Sequence, residues 1–144
     1  HSQLDHGSVS RAAKIGGHEP VLINADDAAA RGITDGAIVR VFNARGACLC
    51  GARLSREIMP GVLMISTGAW FDPDISGASG LDCKHGNPNV LTPDRGTSSL
   101  AQGPAAHSCL VDIESWIGAP VEVTAFTAPQ IIQIGPTAQM DDDK

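Results

Sequence analysis

A chain of 144 residues with 42% hydrophobic residues is long enough for one domain with a true core, and too apolar to be disordered throughout. A formal charge of -6 and an aromatic content of 3%, with no Tyr, argue against a protein held on nucleic acid by phosphate neutralisation or base stacking. No apolar run reaches membrane-spanning length, and a start at His1 without a charged-then-apolar leader reads as a fragment or a processed chain.

In chain order, residues 1–17 are polar and irregular. "EPVLIN" then predicts a strand over Val21–Ile23, and "NADDAAARG" a brief helix. Asn24 is placed to cap that helix, Asp26 and Asp27 sit at its positive end, and Gly32 stops it. "DGAIVRVFN" alternates as a strand, with Val39 and Val41 on one face and Ile38, Arg40 and Phe42 on the other. "NARG" turns the chain and "ACLCGARLS" returns as the second arm of a hairpin. "MPG" turns again into "VLMIS", and "DPDISGASG" after Trp70 is a loop by composition. "HSCLVDIE" is a late strand that completes a barrel-like pattern, and "APVEVTAF" predicts one more. "TAPQIIQIGPTAQMDDDK" reads as a loosely held tail with a solvated Asp run. Short strands with Gly-punctuated turns and one clear helix predict a small mixed-β barrel, mainly β with short helices.

One stretch breaks this pattern. "KHGNPNVLTPDRGTSSLAQG", from Lys84 to Gly103, offers only Val90, Leu91, Leu100 and Ala101 as apolar residues. It cannot build a core, yet it concentrates amides, hydroxyls and turn residues. A second polar segment, "HSQLDHGSVS", runs from His1 to Ser10. Asn87, Asn89 and Gln102 each carry an acceptor and two donors, which suits the edge of a heteroaromatic ring. Ser2, Ser8 and Lys84 suit phosphate oxygens. A plainer reading stands beside this one: loops whose side chains satisfy their own backbone, as Asx and Ser turns do.

Other chemistry is not legible. There is no GxSxG elbow, no GxGxxG after a strand and no P-loop. His1, His6, His18, His85 and His107 show no HExxH spacing. Cys48, Cys50, Cys83 and Cys109 form no CxxC and read as buried thiols rather than a metal site or disulfides, which fits a reducing compartment.

The motifs "HSQLD", "EPVLINADDAAARGITDGAIVRVFNARG", "TGAWFDP" and "KHGNPNVLTPDRGTSSLAQGPAAHSCLVDIE" follow one another in order from His1 to Glu114. Together they resemble the C-terminal domain of molybdenum S- and N-oxide reductases, the group of dimethyl sulfoxide, trimethylamine N-oxide and biotin sulfoxide reductases. The segment "AAKIGGHEP" leans toward the biotin sulfoxide branch. The resemblance implies a double-psi β-barrel of the aspartate decarboxylase-like type over residues 1–116, followed by an extension over 117–144, partly loosely ordered. It also implies that the barrel holds part of a bis(molybdopterin guanine dinucleotide) molybdenum cofactor. Carried over by position, His1, Ser2 and Gln3 would lie beside the pterin and diphosphate, with His6 and Ser8 next to them. Asn87, Asn89 and Gln102 would meet the pterin amide edge. The family's metal-ligating Ser belongs to another domain, so this chain is expected to hold no catalytic residue and no metal ligand, and to be inactive alone.

The expected partners are the remaining domains of a parent enzyme and the molybdopterin cofactor, with no nucleic acid and no membrane insertion. The biotin sulfoxide branch implies the cytoplasm, and relatives for small oxides imply the periplasm. Trp70 is read as a core anchor, with the mouth of a substrate funnel as its alternative site. The rival function is a stand-alone double-psi barrel that acts as a protein-interaction adaptor.

Overall fold

The computed structural model describes residues 2–106, 109–129 and 131–132, and the side chain of Ser2 is outside that description. It is mainly β with short helices. The elements are α1 (Ser8–Ala13), β1 (Pro20–Asn24), α2 (Ala25–Ala30), β2 (Ile38–Phe42), β3 (Ala47–Ser55), β4 (Leu63–Ile65) and β5 (Asp112–Ser115). Short 3-10 turns occupy Ser2–Leu4 and Pro88–Val90.

The five strands form one mixed sheet in the order β4-β1-β3-β2-β5. β2 and β3 make the expected hairpin, closed by Asn43 N–H to Gly46 O at 3.0 Å. β1 runs parallel to β3, on the side away from β2, and the other pairings are antiparallel. Alternation sets the register: Val39 faces Cys50 and Val41 faces Cys48, and all four side chains are buried. On the other face Arg40 sits opposite Glu114 in β5, paired at 3.0 Å. The sheet is open as hydrogen-bonded, because its outer strands β4 and β5 are only three and four residues long and do not pair with each other.

The main core packs α2, Cys83 and Leu91 onto this sheet, and a smaller cluster joins Ala47, Leu49 and Leu81 to Ile38, Phe42, Trp116 and Val121. Val21, Ile23, Ala28, Val39, Val41, Cys48, Cys50 and Cys83 have no exposed surface. The buried-thiol expectation holds for Cys48, Cys50 and Cys83, while Cys109 is half-buried with its thiol on Leu91 O at 2.9 Å. Burial and the neighbouring Cys48 thiol both raise the Cys50 pKa, the contact with Cys48 being the larger cause, so Cys50 behaves as an inert core group. Asn24 caps α2 as expected, its Oδ1 accepting from Asp26 N–H at 2.9 Å.

Two expectations fail. Residues 1–17 are not irregular: they contain the 3-10 turn and α1, whose residues are all exposed or half-exposed, so no apolar stripe announced the helix. "APVEVTAF" forms no strand; its backbone is drawn onto a side chain instead. Thr124 N–H and Oγ1 donate to the two Asp72 oxygens, each at 2.6 Å, and Lys84 Nζ donates to Thr124 Oγ1 at 2.8 Å. A segment held from outside the sheet in this way has no ladder to join. The terminal Asp run, Asp141–Asp143, lies outside the described residues.

The N-terminal segment crosses the sheet where β3 offers no side chain. A Cβ added at Gly51 would sit 2.2 Å from Ile15 Cβ, inside any allowed contact. Gly51 N–H donates to Glu19 O at 3.0 Å there. Gly51→Ala must therefore push Ile15 and its turn off the sheet. The expected cost is about 1–3 kcal/mol of stability, read as a lower urea midpoint with an unchanged m-value.

Candidate functional site

The two polar segments meet through a buried ionic cluster. Asp5, just after the 3-10 turn of residues 2–4, is 3% exposed. Its Oδ1 accepts from Lys14 Nζ at 2.5 Å and from Ser10 Oγ at 3.4 Å. Its Oδ2 accepts from the Trp70 backbone N–H and lies against His85 Nε2, both at 2.9 Å. With its proton on Nε2, His85 donates to Asp5. Lys14 also pairs with Glu19, whose backbone N–H donates to His85 O at 3.1 Å. Asp5, Lys14, Glu19 and His85 thus form a closed circuit.

Burial pushes the Asp5 carboxyl up, but hydrogen bonds from Lys14, Trp70 and His85, together with the Lys14 charge, outweigh it and hold its pKa below the usual carboxylate value. Next to the circuit, His18 Nδ1–H donates to Lys84 O at 2.6 Å. Burial, the largest influence, lowers the His18 pKa and favours the neutral ring. His85 has no exposed surface, and its Nδ1 is the one buried side-chain nitrogen or oxygen without a partner among the described residues. Such an orphan costs about 1–3 kcal/mol.

An aromatic group covers this cluster. Phe126 packs edge-on against His85 at 5.0 Å, and its ring lies 5.2 Å from His6 and 5.4 Å from Trp70. Trp70 stacks on His6 at 5.8 Å and is 37% exposed, so it is not the core anchor expected of it. Beside Asp5 opens a mainly polar cavity of about 220 Å³, lined by Leu4, Asp5, Ser10, Glu19, Ser66 and Ala69 among others. A larger cavity of about 490 Å³ lies elsewhere, between the 74–79 loop and the segment from Trp116 to Thr124.

The predicted site residues divide into groups. His1 and the Ser2 side chain lie outside the description. Gln3, His6 and Ser8 are exposed on the N-terminal segment. Asn87 is half-buried and its amide is already engaged: Nδ2 donates to Ala69 O at 2.8 Å, and Oδ1 accepts from Asn89 N–H at 2.9 Å. It therefore builds the wall that carries the exposed Asn89. Gln102 is exposed on a separate hairpin closed by the Gly96–Pro104 bridge, with Nε2 on Ser98 O at 3.0 Å. The Asx-turn reading thus holds for the Asn87 Oδ1. The Asp5–His85 contact joins the first segment to the second, while Gln102 is held within its own hairpin.

Gly86 explains how the second segment fits. Its φ is +91°, and a Cβ there would meet Glu19 Cβ at 2.8 Å and Leu49 O at 3.0 Å. Only glycine lets "HGNPN" lie so close to β3. Sequence reasoning missed Asp5, Lys14, Glu19 and Phe126, because ion pairs between distant positions leave no periodic signal. It quoted His85 within "HGNPN" without giving it a role.

A family model described as "Molydopterin dinucleotide binding domain" matches residues 1–110. The chain belongs to that family of molybdopterin dinucleotide-binding domains. It is 55% identical over 130 residues to a trimethylamine-N-oxide reductase of Salmonella typhi, covering 90% of this chain and 15% of that protein. A dimethyl sulfoxide/trimethylamine N-oxide reductase of Cereibacter sphaeroides is 49% identical over 130 residues, covering 90% of this chain and 16% of that protein. The chain thus spans about 15% of the length of the curated relatives it matches. Among solved structures, acetylene hydratase from Pelobacter acetylenicus superposes with a TM-score of 0.56 at 13% identity, over 80% of this chain and 16% of that one. That likeness concerns the fold alone.

A buried imidazole nitrogen without a partner, a polar cavity beside Asp5, and the exposed amide side chains of Gln3 and Asn89 are donor and acceptor types that a pterin nucleotide would use. Among the described residues no cluster of His, Cys, Asp or Glu is arranged to hold a metal ion, and no helix is long and apolar enough to cross a membrane.

Breaking the circuit has a measurable cost. Asp5→Ala leaves His85 without its carboxylate and Lys14 with Glu19 alone, a loss of about 3 kcal/mol. Because the folded Asp5 pKa is depressed, its contribution is fully present above the unfolded value and disappears as pH falls through the lower folded one. Urea midpoints measured from about pH 5 down to about pH 2, where a carboxylate with a depressed pKa loses its charge, should fall less steeply in Asp5→Asn than in the unaltered chain.

Proposed function

We propose that this chain is the cofactor-binding domain of a molybdenum oxidoreductase that reduces S-oxides or N-oxides by oxygen-atom transfer. Its ligand is part of a bis(molybdopterin guanine dinucleotide) molybdenum cofactor. The observation that carries the reading is the 2.9 Å contact between Asp5 and His85, which ties the "HSQ" segment to the "HGNPN" segment. His1, Ser2 and Gln3 are the residues for the pterin and diphosphate, with His6 and Ser8 beside them. Asn87, Asn89 and Gln102 are those for the amide edge. The cofactor, when bound, supplies the redox and oxygen-transfer chemistry. The chain's own part is to orient the ligand through amides and hydroxyls, and to keep water from the Asp5–His85 contact with the Phe126 ring.

The barrel reading rests on the parallel pairing of β1 with β3 across the β2–β3 hairpin, extended by a parallel bridge from Cys48 to Cys83. The proposed barrel spans 1–116, with 117–144 as its extension. Supporting this boundary, the family match ends at residue 110 and no strand follows Ser115 among the described residues. Cysteines outside disulfides suit a reducing compartment and so the cytoplasm, with the periplasm, the compartment implied by small-oxide relatives, as the alternative. The lean toward biotin sulfoxide rests on "AAKIGGHEP", a segment occupied here with Lys14 in the buried circuit and a tight Ile15–His18 turn. It therefore says little about substrate, and the names of the relatives weigh toward small oxides.

In the full-length parent, Asn87→Ala combined with Gln102→Ala should lower bound pterin, measured by the fluorescence of the oxidised pterin released on denaturation. Unchanged loading counts against the site and leaves the adaptor reading in its place. The isolated chain, offered a sulfoxide or N-oxide with a reduced dye, should give no turnover. Steady dye oxidation would refute the division of labour between domains.

A further inference from the structure

Asp5 stands two residues beyond Gln3, and His85 stands two residues before Asn87. Each is the buried neighbour of an exposed or half-exposed candidate ligand group. The donors to Asp5 come from four parts of the chain: Ser10 in α1, Lys14 after it, the Trp70 backbone and His85. The Lys14 side chain is itself only 4% exposed and is shared with Glu19, whose backbone bonds both His85 O and Gly51 N. Sliding one segment along the other would break the Asp5–His85 contact and the bond from Glu19 N–H to His85 O, both made at a residue with no exposed surface, while Lys14 ties Asp5 to Glu19.

An apolar set of similar volume would hold these segments at least as firmly, since buried ion pairs are poor contributors to net stability. What directional, charged contacts add is a single allowed register, because each alternative leaves a charge unpaired in the interior. We propose that Asp5, Lys14 and His85 are positioning residues that fix the register between the two cofactor-gripping segments. This rests on the cofactor-binding reading above. Gln3 is thereby set at a fixed offset from Asn87 and Asn89, and a ligand that touches both segments finds its donors already spaced.

The test uses the full-length parent, purified with its cofactor, with bound pterin measured by fluorescence after oxidation and the thermal midpoint measured in parallel. Lys14→Met removes the ammonium while keeping the stem, and Lys14→Arg restores a cation. Asp5→Asn keeps the shape and the Trp70 contact, so it serves if Lys14→Met does not fold. Val41→Ala, a core change in β2 remote from the circuit, supplies a matched loss of stability. Lys14→Met and Asp5→Asn should lower pterin content about tenfold, as loss of a ligand-orienting partner does elsewhere. Lys14→Arg should recover most of it, and Val41→Ala should load fully despite a comparable fall in midpoint. Full loading in both Lys14→Met and Asp5→Asn overturns the proposal, and so does an equal loss in Val41→Ala. If those variants load fully while Asn87→Ala with Gln102→Ala does not, the register idea fails and the site stands. If none of them changes loading, the site itself is misassigned.

Discussion

A carboxylate out of contact with water must be met by donors, and at Asp5 this constraint shapes the molecule. Four donors converge on it, from a helix, a lysine, a backbone amide and an imidazole. None of these groups is near another in sequence, apart from Ser10 and Lys14. The sheet alone would not hold residues 2–14 in place, since α1 buries no residue of its own. The N-terminal segment is kept by charge and by the absence of side chains at Gly51 and Gly86, not by an apolar stripe.

That balance explains which parts could be read from the sequence. β2 and the Asn43–Gly46 turn follow from alternation and turn chemistry, and Asn24 at the start of α2 follows from capping. These are local rules, and the structure obeys them. α1 has no such rule behind it, and the expected strand at "APVEVTAF" was lost to hydrogen bonds with Asp72, a residue far back in the chain. Trp70 failed for a related reason: its partners are His6 and Phe126, one from each end of the described chain. The residues offered for the site came by resemblance, and the ionic circuit beneath them left no mark in the sequence. Nothing in a spacing pattern marks a pair separated by 80 positions.

The polar stretch from Lys84 to Gly103 now has two parts with different physics. Its first part is fixed: His85 is buried, Gly86 lies against β3, and Asn87 closes onto Ala69 O. Its later part, from Gly96 to Pro104, is an exposed hairpin whose polar groups bond mostly to one another. A wall made this way combines a rigid floor with an outer arm that costs little to adjust. Asn87 illustrates the compromise, because most of its hydrogen-bonding capacity is spent on holding the floor in shape.

The long separation between Asp5 and His85 also bears on the order of assembly. The β2–β3 hairpin closes over a four-residue turn, whereas the Asp5–His85 contact closes a loop of 80 positions. Loop entropy makes the nearer pairing form first and the distant one late. The β2–β3 hairpin therefore precedes the latch, whereas β5, which joins β2 through Val39 and Ser115, closes a span of similar length and has no such lead.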